Sequence, residues 1–233
     1  MNVYRSPAEL EVVPRAVAIG TFDGVHRGHR AAIQAARATG LRATVLTFHP
    51  HPRLVLGYDV QLLSTLDRRL ELIAEAGSDD ILVLEFTVAL SQLEPEEFVA
   101  EVLAPIGAQV VVAAESFRFG RGRTGDVALL RELGLEVRNV PLVEGVSSSR
   151  IRELLEQGHV REAAALLGRP PELEGIVVSG DRRGGTLGFP TANLGLDPHL
   201  LVPHYGIYAG AALDVRAAIS IGVNPHYGGT ILR

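Results

Sequence analysis

The sequence predicts an α/β fold, a doubly wound parallel-sheet domain followed by a smaller all-β domain. Three observations predict it. Short, continuous apolar runs alternate with helix-spaced segments over the first two-thirds of the chain, the pattern of strands buried on both faces and joined by helices. A glycine-rich turn, Gly20 to Gly28, follows the first of these runs and opens the first helical segment. From Gly168 the texture changes: Pro170-Pro171 stops the preceding helix, and glycine-rich loops and short β-like runs follow.

In chain order, the strands are expected at 16–20, 43–48, 81–86, 109–114 and 135–140. Helical spacing covers 30–38, 65–76, 96–103 and 126–133. Ser64 is expected to cap the second helix, with Gly77 and Gly134 closing the second and fourth. Pro95 suits the first turn of the third, where its missing N–H costs little. About five strands in this arrangement make a Rossmann-like domain. Two further helices, 150–157 and 160–167, complete a first domain assigned to 1–169. The remainder, 170–233, carries β-like runs at 206–213 and 217–221.

Composition narrows the chemistry. With 47% hydrophobic but only 5% aromatic residues, the core must be built from Ala, Val, Leu and Ile. Cysteine is absent, which excludes disulfides, thiolate zinc sites and thiol nucleophiles. Lysine is absent too, so all 22 basic residues are arginine. A P-loop and a Schiff base both need lysine, so phosphate must be handled by Arg, His, hydroxyls and backbone amides. The net charge of −5 and the lack of an arginine-rich tract favour small-molecule substrates over nucleic acid. No apolar run reaches the ~20 residues that span a bilayer, and the first residues do not form a secretion signal. A soluble, cytoplasmic protein is expected, with no membrane partner; the oligomeric state is not read from the sequence.

The turn after the first strand is the candidate phosphate site. In an open α/β sheet, ligands bind beyond the carboxyl ends of the strands, and a helix N-terminus offers free N–H groups to an anion. Gly20, Gly24 and Gly28 allow close backbone approach. His26 and His29, three residues apart, can face one anion and donate to an α-phosphate as charge develops. An isolated His-x-x-His pair is more often a helix cap or a solvated pair; its place after the first strand favours phosphate. His49 and His51 raise a metal reading, but Pro50 and Pro52 fix an extended chain and no acidic cluster accompanies them. They fit better as cleft-lining or solvated loop residues. Ser147, Ser148, Ser149 and Arg150 open a later helix, and hydroxyls with an arginine make a second anion site, although a plain serine N-cap explains the serines alone.

GTFDGVHRGH, TFHPHP, SFRFGRGRTGD and SSSRIR, in this order, resemble the bacterial bifunctional riboflavin kinase/FAD synthetase family from near Ala16 onward. The resemblance implies transfer of AMP from ATP to FMN with magnesium, releasing pyrophosphate. It assigns His26, His29 and Arg150 to catalysis and Gly20, Phe22, Asp23, Gly28, Ser148 and Ser149 to ATP. Ser116, Phe117, Arg118, Phe119, Gly125 and Asp126 fall in the flavin segment. Where family members carry Val-Gly-Glu-Asn/Asp-Phe, this chain has Ala113-Ala114-Glu115-Ser116-Phe117; serine loses the amide or carboxylate, and Ala114 adds a methyl. Ser149 stands where threonine is common.

The glycine-rich run from Gly180 through Gly188 to Phe189-Pro190-Thr191-Ala192-Asn193 resembles the riboflavin kinase motif of the same family. A loop of this kind alone is more often a surface hairpin. With Thr191 and Asn193 following, it implies an ATP site whose hydroxyl and amide oxygens hold Mg²⁺, in a β-barrel. In the family the barrel continues past the Asn224-Pro225 turn to a strand bearing the glutamate base for riboflavin. No residue here matches that base, so the expectation is a partial barrel with weak or absent kinase activity, or a fragment of a fully bifunctional enzyme. A non-catalytic flavin- or nucleotide-binding protein is the reading from another class.

Overall fold

The computed structural model describes residues 1–140, 143–179, 191–213 and 215–222. The chain divides into two compact units, Met1–Val60 with Leu66–Ser147, and Gln61–Thr65 with Ser148–Arg233.

The first unit is built on six parallel strands: β1 (Asn2–Tyr4), β2 (Arg15–Ile19), β3 (Arg42–His49), β4 (Asp80–Glu85), β5 (Ala108–Ala113) and β6 (Glu136–Asn139), in the order β1-β4-β3-β2-β5-β6. Five match the sequence expectation; the three-residue β1 at the edge was not anticipated, because it carries no apolar run. Alternation along the strands feeds two separate cores. Ala16, Ala18, Val45, Ile81, Val83 and Val112 pack under Ile33 and Ala36 of α1 (Arg27–Arg37) and Leu70 and Ile73 of α3 (Leu66–Glu75). Val17, Ile19, Leu46, Leu82 and Val111 face the other way, onto Phe98, Val102, Leu103 and Leu130. Both faces of the sheet are thus covered, which is why these strands read as unbroken apolar runs.

The connecting helices follow local chemistry. A four-residue α2 (Pro52–Val55) and α4 (Val88–Ser91) add single turns that the periodicity did not reveal. Pro95 starts α5 (Pro95–Phe98), which runs into a π-helical turn over Val99–Leu103. Asp126 caps α6 (Val127–Glu132), accepting from the N–H groups of Ala128 and Leu129 at 2.9 and 3.0 Å. Gly77 and Gly134 sit at left-handed φ of +94° and +87° just beyond α3 and α6, the usual place for glycine at a helix end. Ser64 lies two residues before the first residue of α3, so Thr65 takes the flanking position expected of it.

In the second unit, α7 (Ser148–Glu156) and α8 (Val160–Leu167) pack through Ile151, Leu154, Leu155, Ala163 and Leu167 around Leu201. The Gln61–Thr65 segment is tied in by Leu62 N–H to the His199 carbonyl at 2.7 Å and Arg152 Nε to the Gln61 carbonyl at 2.6 Å. Among the described residues its strands form two antiparallel pairs, β7 (Gly175–Val178) with β8 (Asn193–Leu196) and β9 (Gly206–Ala212) with β10 (Val215–Ile221). Antiparallel pairs of this kind are consistent with part of a β-barrel.

Candidate functional site

β3 and β4 lie on one side of β2, and β5 and β6 on the other. The sheet therefore has its topological switch point between β2 and β5, where open α/β sheets bind ligands. The loops that leave the carboxyl ends of these two strands are 20–26 and 114–126, the two segments singled out in the sequence.

The first loop is strained. Phe22 and Val25 take positive φ of 52° and 38°, with Gly24 at 77°. Positive φ at an aromatic and at a β-branched residue is rare, costs about 1–3 kcal/mol each, and clusters at functional sites. The strain is held in place by burial of Phe22, Asp23 and Val25 and by hydrogen bonds. Gly20 N–H donates to the Leu46 carbonyl at 3.1 Å, and the Thr21 carbonyl accepts from Thr47 Oγ1 at 2.9 Å.

The loop delivers two imidazoles to one place. His26 is the N-cap of α1, its Nδ1 accepting from the His29 N–H at 3.3 Å. An accepting Nδ1 places the ring proton on Nε2. The His26 and His29 rings stack with centroids 3.6 Å apart, and Phe22 lies 4.9 Å from His29 on centroids. His29 Nδ1 is buried with no hydrogen-bond partner. Burial first, then the His26 imidazole and the Arg69 guanidinium, hold the proton affinity of His29 well below the ordinary histidine range. A Cβ on Gly28 would meet His26 ring atoms at 3.2 Å, so the ring would have to shift by a few tenths of an ångström to admit it.

The second loop is shaped by aromatic packing. Phe117 and Phe119 stack with centroids 5.6 Å apart, and Phe119 is buried against Phe98. Phe119 and Gly125 exchange backbone hydrogen bonds of 3.0 and 2.9 Å. A Cβ on Gly125 would sit 2.8 Å from both Phe119 and Pro95. Ser116 and Arg118 are exposed, and Arg118 Nη1 donates to the Phe117 carbonyl at 2.8 Å.

The FAD synthetase family model matches residues 10–152, and the riboflavin kinase family model matches 167–232. The chain belongs to this bifunctional family. A "Bifunctional riboflavin kinase/FMN adenylyltransferase" of Listeria monocytogenes is 36% identical over 211 residues, covering 84% of this chain and 67% of the relative. One of Bacillus subtilis with the same name is 36% identical over 221 residues, covering 89% and 70%. Among solved structures, a Streptococcus pneumoniae chain named as a macrolide-efflux protein superposes with a TM-score of 0.86 at 29% identity, covering 99% of this chain and 82% of that one. No described helix of the present chain is long and apolar enough to cross a membrane.

Within this family member, Gly20, Phe22, Asp23, His26, Gly28 and His29 are brought together around the start of α1. Phe117, Phe119 and Gly125 form the second cluster, to which Asp126 contributes as a helix cap. Ser148, Ser149 and Arg150 open α7 in the second unit, with Arg150 Nη1 3.0 Å from Glu153 Oε2. Thr191 is exposed just ahead of β8, and Asn193 is the first residue of that strand. Gly180 and Gly188 lie outside the described residues. His51 is buried and caps α2, its Nδ1 accepting from Arg53 N–H at 3.2 Å.

Sequence reasoning missed Arg69. It is buried on α3 and donates to the Thr21 carbonyl at 2.8 Å and the Phe48 carbonyl at 3.2 Å. A signal was present: Leu66, Arg69, Leu70 and Ile73 form an i, i+3, i+4, i+7 stripe, and a charge inside an apolar stripe marks a buried cation.

Proposed function

We propose that the first unit transfers AMP from ATP to FMN. A phosphate oxygen of FMN attacks the α-phosphorus of ATP; the new P–O bond forms as the bond to the bridging α–β oxygen breaks, and pyrophosphate leaves. The observation that carries this reading is the His26–His29 stack at the N-terminus of α1, on a strained loop at the switch point. The N–H groups of α1 and the His26 Nε2 donor meet the α-phosphate, where negative charge grows in transfer. No side chain need act as nucleophile, so positioning and electrostatics supply the catalysis.

The loop after β5 is the natural flavin side, since it leaves the neighbouring strand at the same edge. Ser116, Phe117, Arg118, Phe119, Gly125 and Asp126 are assigned to it by the family motif, with Phe119 and Asp126 acting through the shape of the loop. Ser148, Ser149 and Arg150 are carried as an anion site at the start of α7, for ATP or departing pyrophosphate. Magnesium enters bound to the ATP phosphates. Among the described residues no group of three or more His, Asp or Glu side chains is placed to hold a metal. In the kinase half, Thr191 and Asn193 offer the hydroxyl and amide oxygens suited to ATP-borne Mg²⁺. Small-molecule substrates and a cytoplasmic location complete the reading.

The test is direct. The purified chain is incubated with Mg-ATP and either FMN or riboflavin, and the flavins are resolved by chromatography. FAD from FMN is the expected product, abolished by His26→Ala with His29→Ala. Flavin binding without any FAD would overturn the reading in favour of a binding protein. The riboflavin arm reports the kinase half separately.

A further inference from the structure

The function just proposed leaves one buried charge beside the phosphate loop without a role. Arg69 sits on α3, remote in sequence from every motif, yet its guanidinium ends between the carboxyl ends of β2 and β3. Nη1 binds the Thr21 carbonyl and Nη2 the Phe48 carbonyl, while Nε is buried with no partner. Thr21 is the second residue of the strained loop, and its carbonyl already accepts from Thr47. Two donors on one carbonyl, from a strand and a helix, fix where that loop starts. A planar fork reaching two carbonyls is a geometry that arginine supplies and lysine does not.

The same guanidinium is an electrostatic element. Burial works against its charge and the buried Asp23 of the loop works for it. Its field falls on His29, which also faces the His26 ring. It falls as well on His49 at the end of β3, which further faces Arg5 and Asp67. A cation buried among carbonyls is costly to keep for stability alone, and this one lies where its charge acts on His29.

We propose that Arg69 is a positioning residue of the phosphate site, which fixes the β2–α1 loop through two carbonyls and supplies the positive charge behind His29. It does not touch substrate; it acts through the loop and the imidazole. The inference rests on the adenylyl-transfer reading for its turnover measurements, and on imidazole titration independently of it.

The experiment uses the full chain with Arg69→Lys and Arg69→Gln. Lysine keeps the charge and loses the fork; glutamine keeps a donor and loses the charge. The readouts are thermal unfolding, kcat and KM for ATP and FMN across pH, and NMR titration of His29. For Arg69→Lys, kcat/KM for ATP falls about tenfold to a hundredfold, the usual scale for a displaced catalytic loop, with the acid limb of the profile unmoved. For Arg69→Gln, the acid limb and the His29 titration both move up toward the ordinary histidine value. If the glutamine variant does not fold, Arg69→Met, which also removes the charge, takes its place in the His29 titration beside the lysine variant. Folded variants with the parent rates and His29 titration overturn the proposal. So do equal losses in both variants with His29 unmoved, which would make Arg69 a scaffold residue only. If the parent chain forms no FAD, it is the adenylyl reading that fails, and the His29 titration still judges Arg69.

Discussion

The imidazoles of His26 and His29 lie face to face, with centroids 3.6 Å apart and planes 11° from parallel. Two stacked imidazoles resist double protonation, because like charges at this distance repel in a partly buried site. Burial above all, then the charges of His26 and Arg69, hold His29 well below the ordinary histidine value of 6.5. The acid limb of kcat/KM for FAD formation is therefore expected below that of an exposed histidine. The same shift makes stability pH-dependent. The unfolded chain binds the proton first as pH falls below 6.5, so stability is full above that value and declines toward the lowered folded value. His29→Asn should flatten this slope. NMR titration and thermal unfolding between pH 7 and 5 check both, and a His29 titrating near 6.5 would sink the idea.

Gly28→Ala separates site geometry from stability. Alanine raises helix propensity by about 1 kcal/mol, which favours α1. Its Cβ would also press on the His26 ring at 3.2 Å, and that ring is backed by His29. The expected outcome is an unchanged or slightly raised melting temperature with FAD formation reduced about tenfold or more. A fully active variant would show that the His26 ring is free to move and the stack is not needed.

The sheet, most helices and the phosphate loop were legible because their signals are local. Apolar runs, Pro95, Gly77, Gly134 and the glycines around His26 each act on their own neighbours. What escaped was long-range or atypical. α1 begins at Arg27, not at residue 30, because histidine is an unusual N-cap and the standard signals are Ser, Thr, Asp and Asn. Arg69 stands in an Arg-Arg doublet that resembles a solvated helix face, and its carbonyl partners lie 48 and 21 residues away. β1 pairs with β4 across 78 residues, Asn2 against Asp80, with no sequence pattern to announce it.

Arg150→Ala is expected to leave folding almost untouched. Its ion pair with Glu153 is half exposed on both sides, 50% and 55%, and such pairs contribute about 0–1 kcal/mol. On the proposed function the same change removes a cation from the phosphates. A melting temperature within a degree or two of the parent, with FAD formation down about a hundredfold, is the expected combination. Retention of the parent rate would remove Arg150 from the site.

At the opposite end of the sheet, Asp80 ties together the first residues of β2 and β3. Arg15 Nη1 and Arg42 Nε both reach Asp80 Oδ2 at 2.5 Å, and Arg15 also donates to Thr44 Oγ1 and the Ile106 carbonyl at 3.0 Å each. Arg15 and Asp80 are fully buried at 1% and 0% exposure. Burial favours the neutral acid, but the hydrogen bonds and charges of Arg42 and Arg15 win and keep the Asp80 carboxyl below its usual range. A lowered folded value means the contribution is complete above the ordinary carboxylate value of about 4. It is lost as pH falls from there through the folded value. Asp80→Asn leaves Arg15 buried without its counter-charge, an arrangement that costs about 3–5 kcal/mol. Urea unfolding at pH 7 should show that loss, and below pH 3 the gap between variant and parent should narrow. A variant as stable as the parent at pH 7 would mean the cluster is offset elsewhere and does not hold these strand ends together.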